Sequence, residues 1–239
     1  MEELKKYLEK ASYTVVFTGA GMSTEAGLPD FRGSGGIWHG ADPMMLASTR
    51  AMNENTEEFI QFYRQRVENL HGHEPHRGHK ILAKWEREGR IQSIITQNVD
   101  GYHHRAGNKQ VTELHGTLRT CHCNDCGSIY PIEMFMEDNV SCENCSGFLR
   151  PSVVLFGEML PEKAVQQAEL ESRRADLFIV MGSSLSVYPA NVFPEIAKMA
   201  GAKLVIVNLE NTELDNRADL VLNMEIGELL QALDHDRQR

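Results

Sequence analysis

YTVVFTGAGMSTEAGLPDFRG, residues Tyr13 to Gly33, joins a short apolar run to a glycine-rich turn and then to a polar tail. Tyr13 to Thr18 is β-branched and apolar enough to be a buried strand. Glycines directly after such a strand let bare backbone N–H groups approach a phosphate. The dinucleotide fingerprint G-x-G-x-x-G is incomplete, because no third glycine follows Gly19 and Gly21 at Met22 to Thr24. The polar tail from Pro29 to Arg32 also runs beyond a phosphate turn, which implies that something besides phosphate is handled there.

Four more short runs share the character of the first: Ile91–Thr96, Asp176–Gly182, Lys203–Asn208 and Asp219–Asn223. Helical patterns fall between them, at Thr56–Leu70, His76–Glu88, Pro161–Arg174, Ala190–Ala200 and Ile226–Leu233. Strands alternating with helices predict an α/β fold, a Rossmann-like parallel sheet with helices on both faces. Ligands of such sheets bind beyond the carboxyl ends of the strands. The polar motifs GAG, QNVD, GSS and NLE stand at those ends.

Composition narrows the class. The chain has 239 residues, 41% hydrophobic and 24% charged, an ordinary globular balance. A net charge of -10 argues against direct nucleic-acid binding. The N-terminal decapeptide is charged and lacks an apolar signal region, and no run approaches a membrane span, so a cytoplasmic protein is expected.

All five cysteines lie between Cys121 and Cys145. Cys123-x-x-Cys126 and Cys142-x-x-Cys145 are separated by fifteen residues, the spacing of a four-thiolate structural Zn2+ site. Cys121 and His122 stand beside the first knuckle as alternative ligands. The stretch from about Thr117 to Leu149 shows no helical period and predicts a small inserted zinc-ribbon domain. His71, His73, His76, His79, His103 and His104 fit no helical metal pair and are expected on the surface or in turns. His115 follows a strand-like run, Gln110–Leu114, at a domain junction. Gln97 and Asn98 can both donate and accept, which suits ribose hydroxyls or an ordered water.

Taken together and in order, GAGMSTEAGLPDFR (Gly19–Arg32), TQNVD (Thr96–Asp100), ELHG (Glu113–Gly116), the paired CxxC knuckles, VVLFGE (Val153–Glu158) and GSSLSVYPA (Gly182–Ala190) resemble the sirtuins, NAD-dependent protein lysine deacylases, and among them a compact bacterial-type member. The resemblance implies NAD as cosubstrate, structural Zn2+, acyl-lysine proteins or peptides as partners, and a monomer. It implies nicotinamide, O-acyl-ADP-ribose and free lysine as products. It divides the chain into a Rossmann-like NAD-binding domain (1–30, 75–116 and 150–239), a cofactor-binding loop with a helical insert (31–74) and a zinc module (117–149).

By the same resemblance Gly19, Ala20 and Gly21 form the diphosphate cradle, and Ala26 belongs to the cofactor set. Asp30 and Phe31 face nicotinamide from one side, with Asn98, Val99 and Asp100 opposite, Gln97 belongs to the cofactor set, and Arg32 steadies the cofactor. Gly182, Ser183, Ser184, Asn208 and Leu209 hold the adenosine half. His115 is the base and Asn98 positions water. The substrate segment is flanked by Val154, Phe156, Gly157 and Glu158 on one side and Val187 on the other, as an added strand.

Phe59, Phe62, Tyr63, Arg66, Val67 and Leu70 share one helical face. Tyr63 and Arg66 resemble the pair with which some family members bind succinyl or malonyl groups, whereas Pro29-Asp30 before Phe31-Arg32 resembles deacetylases. Acetyl is therefore the expected acyl group, with acidic acyl groups as an additional expectation. ADP-ribosyl transfer and a non-catalytic NAD or ADP-ribose sensor are the alternatives.

Overall fold

The computed structural model describes residues 1–30, 36 and 42–235. Among the described residues nine strands order the chain: β1 (Thr14–Thr18), β2 (Ser93–Thr96), β3 (Val111–Glu113), β4 (Gly116–Cys123), β5 (Ile129–Pro131), β6 (Leu149–Val153), β7 (Leu177–Met181), β8 (Lys203–Val207) and β9 (Leu220–Leu222). Six form a parallel sheet in the order β3-β2-β1-β7-β8-β9. The order reverses between β1 and β7, so a crevice opens at the carboxyl ends of those two strands. Every expected strand is present, and the strand-like run before His115 is the edge strand β3.

The side-chain alternation of β1 shows why this sheet is covered twice. Val16 points to one core with Leu4, Leu82, Trp85, Leu229 and Leu230, from helices Glu2–Lys10, Arg77–Arg87 and Ile226–His235. Val15 and Phe17 point to the other, with Ala168, Phe193 and Ala197 from helices Glu162–Arg174 and Val192–Met199. Each such side chain removed wholly from water contributes about 1.5–3 kcal/mol.

The small sheet is antiparallel, in the order β5-β4-β6. Phe59, Tyr63 and Val67, one face of the helix Thr56–His71, pack against Leu118, Phe135, Val153 and Leu155. That helix thereby lies on the small sheet while Tyr63 and Arg66 reach the crevice. β6 runs out of the small sheet at Val153, and the chain continues along the rim of the crevice, where Val154 N donates to His115 O at 2.9 Å.

The expectation of surface histidines fails for three of them. His79 and His103 are buried and His76 is half-buried. Their rings contact edge to face, His76–His79 at 4.6 Å and His79–His103 at 4.9 Å between centroids. Burial is tolerated because the rings are neutral: loss of water pulls His103 down to about 3 and His79 well below its ordinary value. His103 Nε2 lies 3.0 Å from Thr18 Oγ1, at the end of β1.

Candidate active site

The crevice is a cavity of about 710 Å³ built on the ends of β1, β2, β7 and β8. Gly19, Ala20 and Gly21 line it after β1, and Gly182, Ser183 and Ser184 after β7. These two turns touch backbone to backbone. Gly19 N donates to Met181 O and Gly21 N to Gly182 O, so the glycines here serve close approach as well as access. Gly182 has φ +65°, and a Cβ on it would stand 2.4 Å from Met22 N. Only glycine fits that contact.

After β2, Gln97, Asn98 and Val99 form the floor. Gln97 Nε2 donates to Ser183 Oγ at 2.8 Å, tying the β2 and β7 loops together. Asn98 is buried, its Nδ2 donating to Gly19 O at 2.9 Å and its backbone N to Thr96 Oγ1 at 3.0 Å. That orientation leaves the amide oxygen as the acceptor end. Asp100 lies outside the main cavity. It lines a side pocket of about 50 Å³ that shares Ala20, Arg66, Asn98 and Val99 with the main one. Burial raises the Asp100 carboxyl, opposed by the bonds from Tyr102 N at 2.8 Å and Ser23 Oγ at 2.7 Å. Ser23 is a residue that sequence reasoning missed. Nothing in its local pattern shows that it reaches Asp100, 77 positions away.

His115 enters from the β3–β4 junction. Its Nδ1 stands 3.0 Å from Gln97 O. A carbonyl only accepts, so Nδ1 carries the hydrogen and Nε2 keeps its lone pair. Burial holds the imidazole below its ordinary pKa, partly countered by the Gln97 bond. A neutral base is thus set into the cavity at neutral pH.

Val154, Phe156, Gly157 and Glu158 line one rim and Val187 the other. The Glu158 carboxylate is turned into the protein, accepting from Leu155 N at 2.8 Å and Arg150 Nη2 at 2.5 Å. It shapes the rim loop and is not offered outward. Tyr63 and Arg66 line the same cavity. Burial pushes the Tyr63 phenol up to about 12, and Arg66 lies over the Tyr63 ring at 5.9 Å. At the far end stand Asn208, Leu209 and Glu210 with Met224, Glu225 and Ile226, the last three unanticipated from sequence. Asp30 also lines the cavity, Ala26 lines neither pocket, and Phe31 and Arg32 lie outside the described residues.

A family model, the Sir2 family, matches residues 19–189, which hold most of the lining of this cavity and the cysteine cluster. The chain belongs to the Sir2 family. A relative from Oceanobacillus iheyensis, named NAD-dependent protein deacetylase, is 51% identical over 98% of this chain and 99% of its own. A solved structure described as Sir2 with p53 peptide and NAD+ superposes with a TM-score of 0.90 at 38% identity, covering 100% of this chain and 98% of the other. Another, Sir2 with the inhibitor EX-527, 2'-O-acetyl-ADP-ribose and deacetylated p53 peptide, gives 0.89 at 38% identity, covering 100% and 99%.

The Sir2-family chain also carries a four-cysteine cluster, placed to bind a metal, whose residues do not line the cavity. The Sγ atoms of Cys123, Cys126, Cys142 and Cys145 lie within 4.8 Å of one another. Cys123 and Cys145 are 3.5 Å apart, and Cys126 and Cys142 are 3.7 Å apart. A tetrahedron with Zn–S bonds of about 2.3 Å has edges of roughly 3.8 Å, so the four thiols fit Zn2+ with no open position. Cys121 is no alternative ligand: its Sγ donates to Pro131 O at 3.3 Å and lies outside the four-thiol cluster. His122 faces Ser152 Oγ at 3.2 Å and is likewise outside the cluster.

Proposed function

We propose that the protein removes acyl groups, acetyl first among them, from lysine side chains of proteins in an NAD-dependent reaction. The observation that carries this reading is His115. A neutral imidazole with its Nδ1–H tied to Gln97 O shares one cavity with Asn98, the glycine turns and the Val154–Glu158 rim. A relative in the Sir2 family is named an NAD-dependent protein deacetylase, and a neighbour holds a deacetylated peptide with 2'-O-acetyl-ADP-ribose.

NAD, when bound, supplies a sugar carbon that becomes electrophilic as nicotinamide leaves. The chain's residues do the rest. Gly19–Gly21 and Gly182–Ser184 seat the phosphates and adenosine across the β1/β7 crevice. Asp100, in its side pocket, accepts from the carboxamide of nicotinamide. The extended substrate lies between the Val154–Glu158 rim and Val187, pairing through backbone groups. His115 Nε2 takes the proton of a sugar hydroxyl, and Asn98 Oδ1 holds the water that completes release of free lysine and O-acyl-ADP-ribose.

We further read the chain as a cytoplasmic monomer that does not bind nucleic acid, with the domain limits expected from sequence. The five cysteines form no disulfide, no described helix is long and apolar enough to cross a membrane, and the net charge is -10.

The test is nicotinamide release from NAD in the presence of an acetyl-lysine peptide, with product masses followed. Nicotinamide, O-acetyl-ADP-ribose and free lysine are expected in equal amounts. Absence of NAD consumption overturns the reading.

A further inference from the structure

Several carboxylates line a cavity that, as an NAD site, takes a diphosphate. Glu25, one turn after the Gly19–Gly21 loop, is one of them, and at face value it repels the ligand. Its bonding resolves the conflict. Glu25 Oε1 accepts from Gly227 N at 2.7 Å, 202 positions away. Gly227 is in the first turn of the helix Ile226–His235, where backbone N–H groups lack intrahelical partners. The negative charge is therefore matched to the positive end of a ten-residue helix.

The approach is close. A Cβ at Gly227 would stand 2.2 Å from Glu25 Oε2, so any side chain there displaces the carboxylate. His76 flanks the other carboxylate oxygen at 4.0 Å and is itself fixed by Met22 O at 2.7 Å. The residues immediately before Gly227, namely Met224, Glu225 and Ile226, form the far wall of the cavity beside Asn208 and Leu209.

We propose that Glu25 is a positioning residue for the adenosine side of the NAD site, acting through the Gly227 N–H to hold the 224–226 wall against the phosphate loop. The inference rests on the proposed use of NAD. Glu25 joins the first cofactor loop to the last helix, so a ligand spanning both meets a wall already in place.

ADP-ribose affinity, measured by calorimetry, tests this without requiring turnover. Glu25→Ala is expected to weaken ADP-ribose binding about tenfold or more, the scale of a lost hydrogen bond to a charged group. Glu25→Gln keeps an acceptor oxygen and restores most of the affinity. Gly227→Ala, which pushes the carboxylate away, weakens binding as Glu25→Ala does. In turnover the loss falls on KM for NAD, with KM for the acetyl peptide held within about twofold of wild type. Circular dichroism confirms folding. If Glu25→Ala does not fold, an affinity falling from wild type through Glu25→Gln to Gly227→Ala supports the inference in its place. Unchanged ADP-ribose affinity in folded Glu25→Ala or Gly227→Ala overturns the inference alone. Wild-type protein that binds no ADP-ribose overturns the use of NAD and the inference with it.

Discussion

His115 Nδ1 donates to the carbonyl of Gln97 at 3.0 Å, and this one bond decides which ring nitrogen keeps its lone pair. Burial holds the imidazole below its ordinary pKa. A depressed pKa means that the neutral, proton-accepting ring persists as pH falls through the usual histidine value. The acid limb of kcat/KM for NAD and acetyl peptide is expected below about pH 6.5. His115→Ala is expected to lower kcat by about 10²–10⁴-fold with the fold intact. An acid limb centred above pH 7 would contradict the burial argument.

Ser23 links two groups at the mouth of the side pocket. Its Oγ donates to Asp100 Oδ2 at 2.7 Å and lies 3.3 Å from Asn98 Nδ2. Ser23→Ala leaves a half-buried carboxylate with one bond fewer, which raises the Asp100 pKa further and loosens Asn98. A fall in kcat/KM for NAD of about 10–100-fold is expected, from the worth of a hydrogen bond to a charged group. Steady-state kinetics with saturating peptide measures it; a change under twofold would show the bond to be idle.

The five strands read from sequence were legible because each is a β-branched run ending at a glycine or polar residue, and the parallel sheet buries such runs on both faces. GAG and GSS were each visible as turns. That Gly21 exists to let Gly182 approach it was not, since the contact joins residues far apart in the chain. The buried histidines were misread for a related reason. Histidine is polar, and the hydroxyl that receives His103 belongs to Thr18, 85 positions earlier. Glu25 carries no local signal either, because its partner is a backbone N–H of the last helix. Cys121 shows the limit of spacing rules: adjacency to a knuckle placed it near the metal, but although alternation sets it on the same face as Cys123, its thiol bonds to Pro131 O and packs in the core that holds Phe135.

The separate bonding of Cys121 has a measurable consequence. Purified protein is expected to hold one zinc per chain, and Cys121→Ser is expected to leave that ratio at one. Cys126→Ser removes a thiolate from a closed four-sulfur site and is expected to lower the ratio well below one. Around Cys123 and Cys142 the apolar packing is little more than Leu149, Tyr130, Met134 and Val140, so metal loss should open this end of the small sheet. Elemental analysis and the thermal midpoint with and without chelator test this. Zinc loss in Cys121→Ser would return that residue to the ligand set.

The neutral histidines make stability depend on pH. His103, held at about 3 in the fold, has an unfolded value near 6.5. With the folded pKa depressed, the unfolded chain binds the proton first. The contribution is fully present above about pH 6.5 and is lost as pH falls from there toward about 3. Each such group removes about 1.4 kcal/mol per pH unit within that window, and His79 adds to it in the same direction. Urea midpoints at pH 7.5 and 5.0 are expected to fall steeply for wild type and less steeply for His103→Gln. Equal slopes for the two proteins would rule out His103 as a source of the pH dependence.

Arg66 lines both the main cavity and the side pocket, with Tyr63 beside it in the main one. A guanidinium there can take a carboxylate at the end of an acyl chain through two parallel bonds, and the Tyr63 phenol, protonated at any working pH, can add a third. Acetyl has no such carboxylate and draws nothing from the pair. Turnover of acetyl-, malonyl- and succinyl-lysine peptides therefore separates two contributions. Arg66→Ala is expected to reduce succinyl and malonyl turnover at least tenfold relative to acetyl turnover, because a bidentate charge pair contributes more than a single neutral bond. Tyr63→Phe is expected to shift the same ratio by a smaller factor. The side pocket adds a control: Arg66 also faces Asp100 electrostatically, so an effect on nicotinamide departure lowers all three peptides alike, whereas acyl recognition changes only their ratio. Undetectable succinyl turnover by wild type, or a ratio untouched by Arg66→Ala, would leave acetyl as the group this cavity is shaped for.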